Sequence, residues 1–405
     1  MIRTGPSIKQ RRYGFVKPYL ITLFMLIDGL GGLVFRTRSQ PPQHPRRILL
    51  INLAHIGDVV MSTPAIHAVR LANPSAHLAV MVGPWGAGVL KNNPDVDEVL
   101  VYHAAWWYRS GSRRALSSAA QPFSYMSMLH TCSVGSLYRL LKNGRFDVSI
   151  DFKSFFQENL AVCRAGIPWR VGFGIYGGGF LLSHVPDYPW YSHVVERNLA
   201  LVRDSGIGVD CRDCQEWPQV FFSDEDRSAV QVFLEAHGVG DSDRLVALHI
   251  GAGYPSKRWP VARYARLADE LVGIYGIRVV LVGGNDDLPL IQEMVTAVAS
   301  GLLIAAGKLS ITATTALLSR CCLFIGNDSG PAHLATAIGI QAIVLFSGEN
   351  DAPCWRPYGD NCTVIGKSVD CSPCGRRVCN RGHECMTGIS VEEVIEAVKG
   401  SRSLA

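Results

Sequence analysis

RILLINLAHIGDVVMSTPAIHAVRL, residues 47–71, decides the fold. Ile48–Leu53 is an apolar run of the kind found in a strand buried on both faces. Gly57 permits a tight turn, and the spacing predicts a helix from Val59 to Leu71. Strand, turn and helix open a βαβ unit, and the rhythm repeats outward. His77–Val82, Val96–His103 and Phe146–Asp151 read as further strands, with Val194–Ser205 as a closing helix. A second series starts at Leu245–Ile250 and continues through Arg278–Gly283, Leu302–Ala306, Cys322–Gly326 and Gln341–Phe346. Helices are expected between them at Val261–Tyr275, Leu288–Ala299 and Ile311–Ser319. Such alternation predicts an α/β protein of two Rossmann-like, doubly wound domains facing a central cleft, with ligands outside the carboxyl ends of the strands. The chain of 405 residues is too long for one ordinary core and suits two. The expected division is an extension over residues 1–45, a first domain over 46–206, a polar connection over 207–243 and a second domain over 244–400.

Composition narrows the function. Apolar residues at 48% against 18% charged exclude a globally disordered chain. The net charge of +5 is polarised: residues 1–150 hold 17 Lys and Arg against 6 Asp and Glu, and residues 151–405 hold 22 against 28. A basic N-terminal part suggests an anionic partner, either a lipid surface or a phosphorylated glycan, with a solvated basic surface as the plain alternative. No arginine-rich tract interleaved with aromatics supports nucleic acid. The extension places Arg3, Lys9, Arg11, Arg12 and Lys17 before the apolar stretch Tyr19–Phe35, with Arg36 and Arg38 after it. Asp28 and glycines interrupt that stretch, leaving less than the ~20 apolar residues a spanning helix needs. It reads as an interfacial helix anchored by flanking bases, with a membrane-spanning helix as the alternative. Ala104–Cys132 breaks the βα rhythm, and its Trp106, Trp107, Arg109 and Arg113 suit an acceptor-binding or membrane-facing loop. An insertion without a role is the plain alternative. The chain has 12 cysteines and no evident cleavable secretion signal, so reduced thiols are expected.

Three constellations carry possible chemistry. Asp58 stands where a carboxylate caps the following helix or projects from the turn. Asn327-Asp328-Ser329-Gly330-Pro331-Ala332-His333 follows a strand and opens a helix. Its small residues leave backbone amides free for an anion, which makes it a plausible diphosphate seat. His333 adds a donor there or is simply packed. Gly251-Ala252-Gly253-Tyr254-Pro255-Ser256-Lys257-Arg258-Trp259-Pro260 combines close backbone approach with two cations. Neither a three-glycine dinucleotide fingerprint nor a Walker motif is present, which argues against dehydrogenase and ATPase readings, and no HExxH or paired-aspartate metal motif stands out.

In this order and spacing, Ile48–Ala65, Lys257–Pro260 and Gly326–Gly348 resemble glycosyltransferase family 9, the bacterial heptosyltransferases of lipopolysaccharide assembly. The resemblance covers roughly residues 46–400. It implies a GT-B fold and an inverting, metal-independent transfer without a cofactor. Asp58 is then the general base toward the acceptor hydroxyl, while Lys257, Asp328, Ser329 and Gly330 hold the donor diphosphate and sugar with His333 beside them. Arg109 and Arg113 are the acceptor-binding candidates of the long loop. The implied partners are ADP-heptose, a lipid-linked or lipopolysaccharide inner-core acceptor and an anionic membrane surface. Two departures bear on substrate identity: Ala54 and His55 stand where family members commonly place a hydroxyl residue, and the approach to Lys257 is rich in glycine. Cys371, Cys374, Cys379 and Cys385 resemble a tail found in many members, for which a zinc site, a disulfide and free thiols stay open. Transfer of another sugar to a capsule or lipid-linked glycan, and a catalytically silent nucleotide-sugar-binding protein, are the competing functions. The joint presence of Asp58, Lys257 and the Asp328–His333 turn favours turnover.

Overall fold

The computed structural model of the protein describes residues 13–14, 18–34, 40–107, 131–209 and 217–401. Arg109, Arg113, Cys211 and Cys214 lie outside the described residues. The chain divides into two compact units, Met1–Ala87 with Pro94–Glu216, and Gly88–Asn93 with Trp217–Ala405. Each is organised round one parallel sheet.

In the first unit β1 (Arg47–Asn52), β2 (His77–Val82), β3 (Glu98–Val101), β4 (Val148–Asp151) and β5 (Trp169–Gly172) lie in the order β3-β2-β1-β4-β5. β1 is central, with Ile48 opposite Leu78 on one side and Val148 on the other. Its apolar run is unbroken from Ile48 to Ile51 because both faces are covered. The second sheet contains β6 (Leu245–His249), β7 (Arg278–Leu281), β8 (Leu302–Ile304), β9 (Cys321–Asn327), β10 (Gln341–Phe346) and β11 (Cys362–Gly366), in the order β11-β10-β9-β6-β7-β8. Each sheet winds outward from its first strand, then returns to that strand's other side. The reversal falls between β1 and β4 in one unit and between β6 and β9 in the other. At such a switch point successive connections leave in opposite directions, and their divergence opens a crevice at the carboxyl ends of the strands. The α/β, two-sheet architecture expected from the sequence is therefore the observed one.

Three local readings change. The helix expected over Val59–Leu71 is two helices, Ile56–Val60 and Thr63–Ala72. The hydroxyls of Ser62 and Thr63 donate to the carbonyls of Val59 and Val60 at 2.8 Å each, and Pro64 has no N–H to continue the ladder. β5 and β11 escape the apolar pattern because they are short, and Arg170 and Thr363 interrupt their apolar residues. In β5 the buried Arg170 is accommodated by the carbonyl of Leu181, at 2.7 Å, rather than by a hydrophobic side chain. Within 207–243, read as a connection, Asp224–Glu235 is a helix of the second unit, capped by Ser223 and joined to Thr312 through Asp226 at 2.7 Å.

The N-terminal helix Pro18–Val34 has two faces. Leu20, Ile21 and Phe24 are buried against Phe156 and Tyr176 of the first unit. Asp28 accepts hydrogen bonds from the Tyr13 hydroxyl and the Gly178 amide, both at 2.8 Å. Tyr19, Leu23, Leu26, Leu30 and Leu33, spaced along the other face, are exposed, Leu33 by 79%. Among the described residues no helix is long and apolar enough to cross a membrane.

Candidate active site

At the β1/β4 switch point the chain leaves β1 through Leu53 and Ala54 and enters the helix Ile56–Val60, whose N-cap is His55. Asp58 therefore lies within the first turn and is not the cap, so the capping alternative for this carboxylate falls. Asn52 ties the turn down, its Nδ2 donating to the Asp58 carbonyl at 3.0 Å and to Ser62 Oγ at 3.1 Å. The Asp58 carboxylate meets Lys153 Nζ at 2.6 Å, with 16% and 14% of their side chains exposed.

Lys153 follows β4 in a turn made by Asp151, whose Oδ1 accepts the amides of Lys153 at 2.9 Å and Ser154 at 2.7 Å. Burial, reinforced by neighbouring Glu158, pushes the Asp151 carboxyl well above its usual range. Asp151 thus serves the turn. Glu158 is buried and accepts the indole N–H groups of Trp106 and Trp107 on one oxygen, at 3.1 Å each. Half-buried rings line this end of the sheet: His55 lies 5.6 Å from Trp85 and 6.0 Å from Trp107, which packs 5.0 Å from Phe155. A carboxylate beside a cation and aromatic walls suits proton abstraction from a polyhydroxylated ligand.

The second unit gathers its polar residues at the β6/β9 switch point. β9 ends at Asn327, a buried amide that accepts the Trp259 amide and the Tyr264 hydroxyl at 3.0 Å each. Its Nδ2 donates to the carbonyls of Ile250 at 2.9 Å and Gly251 at 3.1 Å. This one side chain locks the loop carrying Lys257 and Arg258 onto the strand that leads to Asp328. Lys257 Nζ lies 2.6 Å from Asp328 Oδ2 and 3.4 Å from Glu349 Oε2. Burial works against the Lys257 ammonium, but the Asp328 and Glu349 carboxylates outweigh it and hold its pKa above that of an ordinary lysine. Asp328 mirrors this: burial alone would raise its pKa, and Lys257 with His333 brings it below the usual value. His333 Nε2 is 3.8 Å from Asp328 Oδ1, while its buried Nδ1 has no hydrogen-bond partner. The helix Gly330–Ala337 begins at Ser329, whose side chain makes no capping bond. The structure therefore brings Lys257, Asp328, Ser329, Gly330 and His333 together.

Sequence reasoning missed Lys153, Glu158, His249, Asp287 and Glu349. Four of these lie at or just beyond the carboxyl ends of β4, β6, β7 and β10, where the ligand rule for open α/β sheets directs attention to any polar residue. Gly251 was read as room for a ligand's approach. The structure fills that room from within: a Cβ there would stand 1.8 Å from Asp287 Oδ1. Cys371, Cys374, Cys379 and Cys385 are free thiols, and among the described residues no group of three or more His, Cys, Asp or Glu side chains is arranged to hold a metal.

The sequence model of glycosyltransferase family 9 (heptosyltransferase) matches residues 134–384, more than half of the chain. The chain belongs to glycosyltransferase family 9. It is 27% identical over 313 residues to lipopolysaccharide heptosyltransferase 2 of Escherichia coli (strain K12), covering 74% of this chain and 82% of that one. Two solved structures share the fold. The family 9 glycosyl transferase from Veillonella parvula DSM 2008 superimposes with a TM-score of 0.72 at 23% identity, over 88% of this chain and 97% of that one. E. coli ADP-heptose lps heptosyltransferase II gives 0.67 at 24% identity, over 87% and 98%. The family 9 protein is thus a glycosyltransferase with the two parallel-sheet domains of the GT-B class.

Proposed function

We propose that this family 9 enzyme moves heptose from ADP-heptose to an inner-core lipopolysaccharide acceptor, with inversion and without a metal. The observation that carries the reading is the buried Lys257–Asp328 pair beside the uncapped helix at Ser329, in a chain similar to lipopolysaccharide heptosyltransferase 2 of E. coli. Asp58 takes the proton from the acceptor hydroxyl, whose oxygen bonds to the anomeric carbon. The bond from that carbon to the diphosphate oxygen breaks, and ADP departs on the opposite face. Charge grows on the leaving diphosphate, where Lys257, Arg258 and the amides opening the helix at Gly330 stabilise it. The Arg258 Nε is buried and has no hydrogen-bond partner, so a donor is in place for that anion. Asp328, Ser329 and His333 complete the donor seat. Arg109 and Arg113 are the proposed acceptor contacts. Purified enzyme is expected to transfer from ADP-heptose at an unchanged rate in excess EDTA. Loss of activity that only Mg2+ or Mn2+ restores would refute the metal-free assignment, and equal use of another nucleotide sugar would refute the donor.

The same reading puts the enzyme on the cytoplasmic face of the inner membrane. Its support is the helix Pro18–Val34: the sole acid of residues 1–47, Asp28, is turned inward, while apolar residues face out and nine Lys and Arg stand in the same segment. Each base near an anionic surface contributes ~1 kcal/mol. Leu26→Asp with Leu30→Asp is expected to release the protein from vesicles containing anionic phospholipid, leaving turnover of a soluble acceptor within about twofold of the parent, the spread ordinary for surface substitutions. Removing residues 1–44 is the poorer test, because it also uncovers Phe156 and Tyr176. Undiminished vesicle binding by the double variant would end the anchor proposal.

A further inference from the structure

Ser329, His249 and Asp287 form a hydroxyl–imidazole–carboxylate chain in the second unit. Ser329 Oγ lies 2.8 Å from His249 Nδ1, and His249 Nε2 lies 3.3 Å from Asp287 Oδ2. His249 is the last residue of β6 and only 4% exposed. Asp287 occupies space that two glycines vacate, since a Cβ on Gly251 or Gly283 would stand 1.8 or 2.5 Å from its carboxylate oxygens. Gly284 N donates to it at 2.9 Å. Burial alone would raise the Asp287 pKa, yet it lies below the usual carboxylate value, and the hydrogen bond with His249 is the largest of the contacts that lower it. An ionised Asp287 can only accept, so His249 Nε2 carries hydrogen.

With a neutral imidazole, Nδ1 is then an acceptor, and the single Ser329 proton points to it or to the Asn327 carbonyl at 3.1 Å. Neither arrangement leaves a proton for an anion at the helix start. The charges around the seat matter as well: Lys257 already faces two carboxylates, Asp328 and Glu349. A diphosphate entering there adds negative charge that the lysine alone does not balance. We infer that His249, held by Asp287, takes up a proton when the nucleoside diphosphate binds, donating through Nδ1 to Ser329 Oγ and turning the Ser329 hydroxyl toward the phosphate. The proton comes from solvent and returns there when the nucleotide leaves. His249 and Asp287 are positioning residues for Ser329. The groups that face the imidazole are Asp287 and Ser329, with Arg258 acting on Asp287.

This inference rests on the reading of the second unit as the diphosphate seat. Calorimetric titration with ADP at pH 7.5, in two buffers of different ionisation enthalpy, counts protons taken up on binding. Wild type is expected to take up ~0.5–0.9 proton more than His249→Gln, close to the one proton that a single imidazole can gain. Glutamine retains an acceptor for Ser329 but does not titrate in this range. Asp287→Asn, which removes the carboxylate that steadies the imidazolium, is expected to reduce uptake similarly. If ADP binds all three proteins with equal proton uptake, the inference is wrong and the seat survives. If ADP fails to bind wild type, the diphosphate seat itself is wrong and the inference falls with it.

Discussion

Asp58→Asn is expected to fold, to bind ADP with nearly wild-type affinity and to lose ~10²-fold or more in turnover, the scale of general-base catalysis. Asparagine keeps the size of the side chain and an oxygen for Lys153 Nζ, which lies 2.6 Å from the native carboxylate. It removes the basicity together with the charge that faces Lys153, so the thermal transition is to be measured beside turnover. Because His55 rather than Asp58 occupies the N-cap position of the helix Ile56–Val60, the substitution costs no cap. A timed transfer assay alongside ADP calorimetry reads both quantities. Near-normal turnover would dismiss Asp58 as the base. The search would then move to His55 or Asp151, the next polar groups near strand ends of the same unit.

The second large effect is expected at Lys257. In Lys257→Ala the Asp328 and Glu349 carboxylates lose the cation between them, and the donor loses charge-assisted hydrogen bonds. Such bonds contribute about 1.5–3 kcal/mol each, so ADP affinity should fall by ~10–10²-fold. Two buried carboxylates without a cation also repel, and the thermal transition should drop by several degrees, as loss of one partner of a buried ion pair implies. Lys257→Ala with Asp328→Asn should recover part of the lost stability while leaving ADP binding weak. That split separates the structural role of the pair from its role toward the anion. ADP affinity within about threefold of wild type in Lys257→Ala, less than one such bond contributes, would show that the lysine serves the fold alone.

The alternating apolar runs were enough for the fold class. Strands buried on both faces must be continuous in Val, Ile and Leu, and the runs at 48–53, 245–250 and 341–346 carry that signature without any tertiary information. Helix limits such as Val261–Tyr275 and Ile311–Ser319 were legible because the apolar period and the flanking Pro260, Gly276 and Ser310 mark them locally. The Asp328–His333 turn was legible for the same reason: small residues and a proline at a strand-to-helix junction have few other uses.

What the sequence could not contain is which strand ends become neighbours. Lys153 and Asp58 stand 95 residues apart, His249 and Ser329 80 apart, and no local pattern connects them. They meet because each sheet reverses direction at its first strand, placing the end of β4 beside β1 and that of β9 beside β6. The two faces of the helix Pro18–Val34 are likewise a tertiary outcome. Apart from Asp28 its apolar residues stand on both sides, and docking on Phe156, Tyr176 and Gly178 separates the covered side from the exposed one. Residue type and period were set by the local chain, whereas the charge partner of each ionisable group was decided by sheet topology, since electrostatic and hydrogen-bond energies depend on distance in space and not along the sequence.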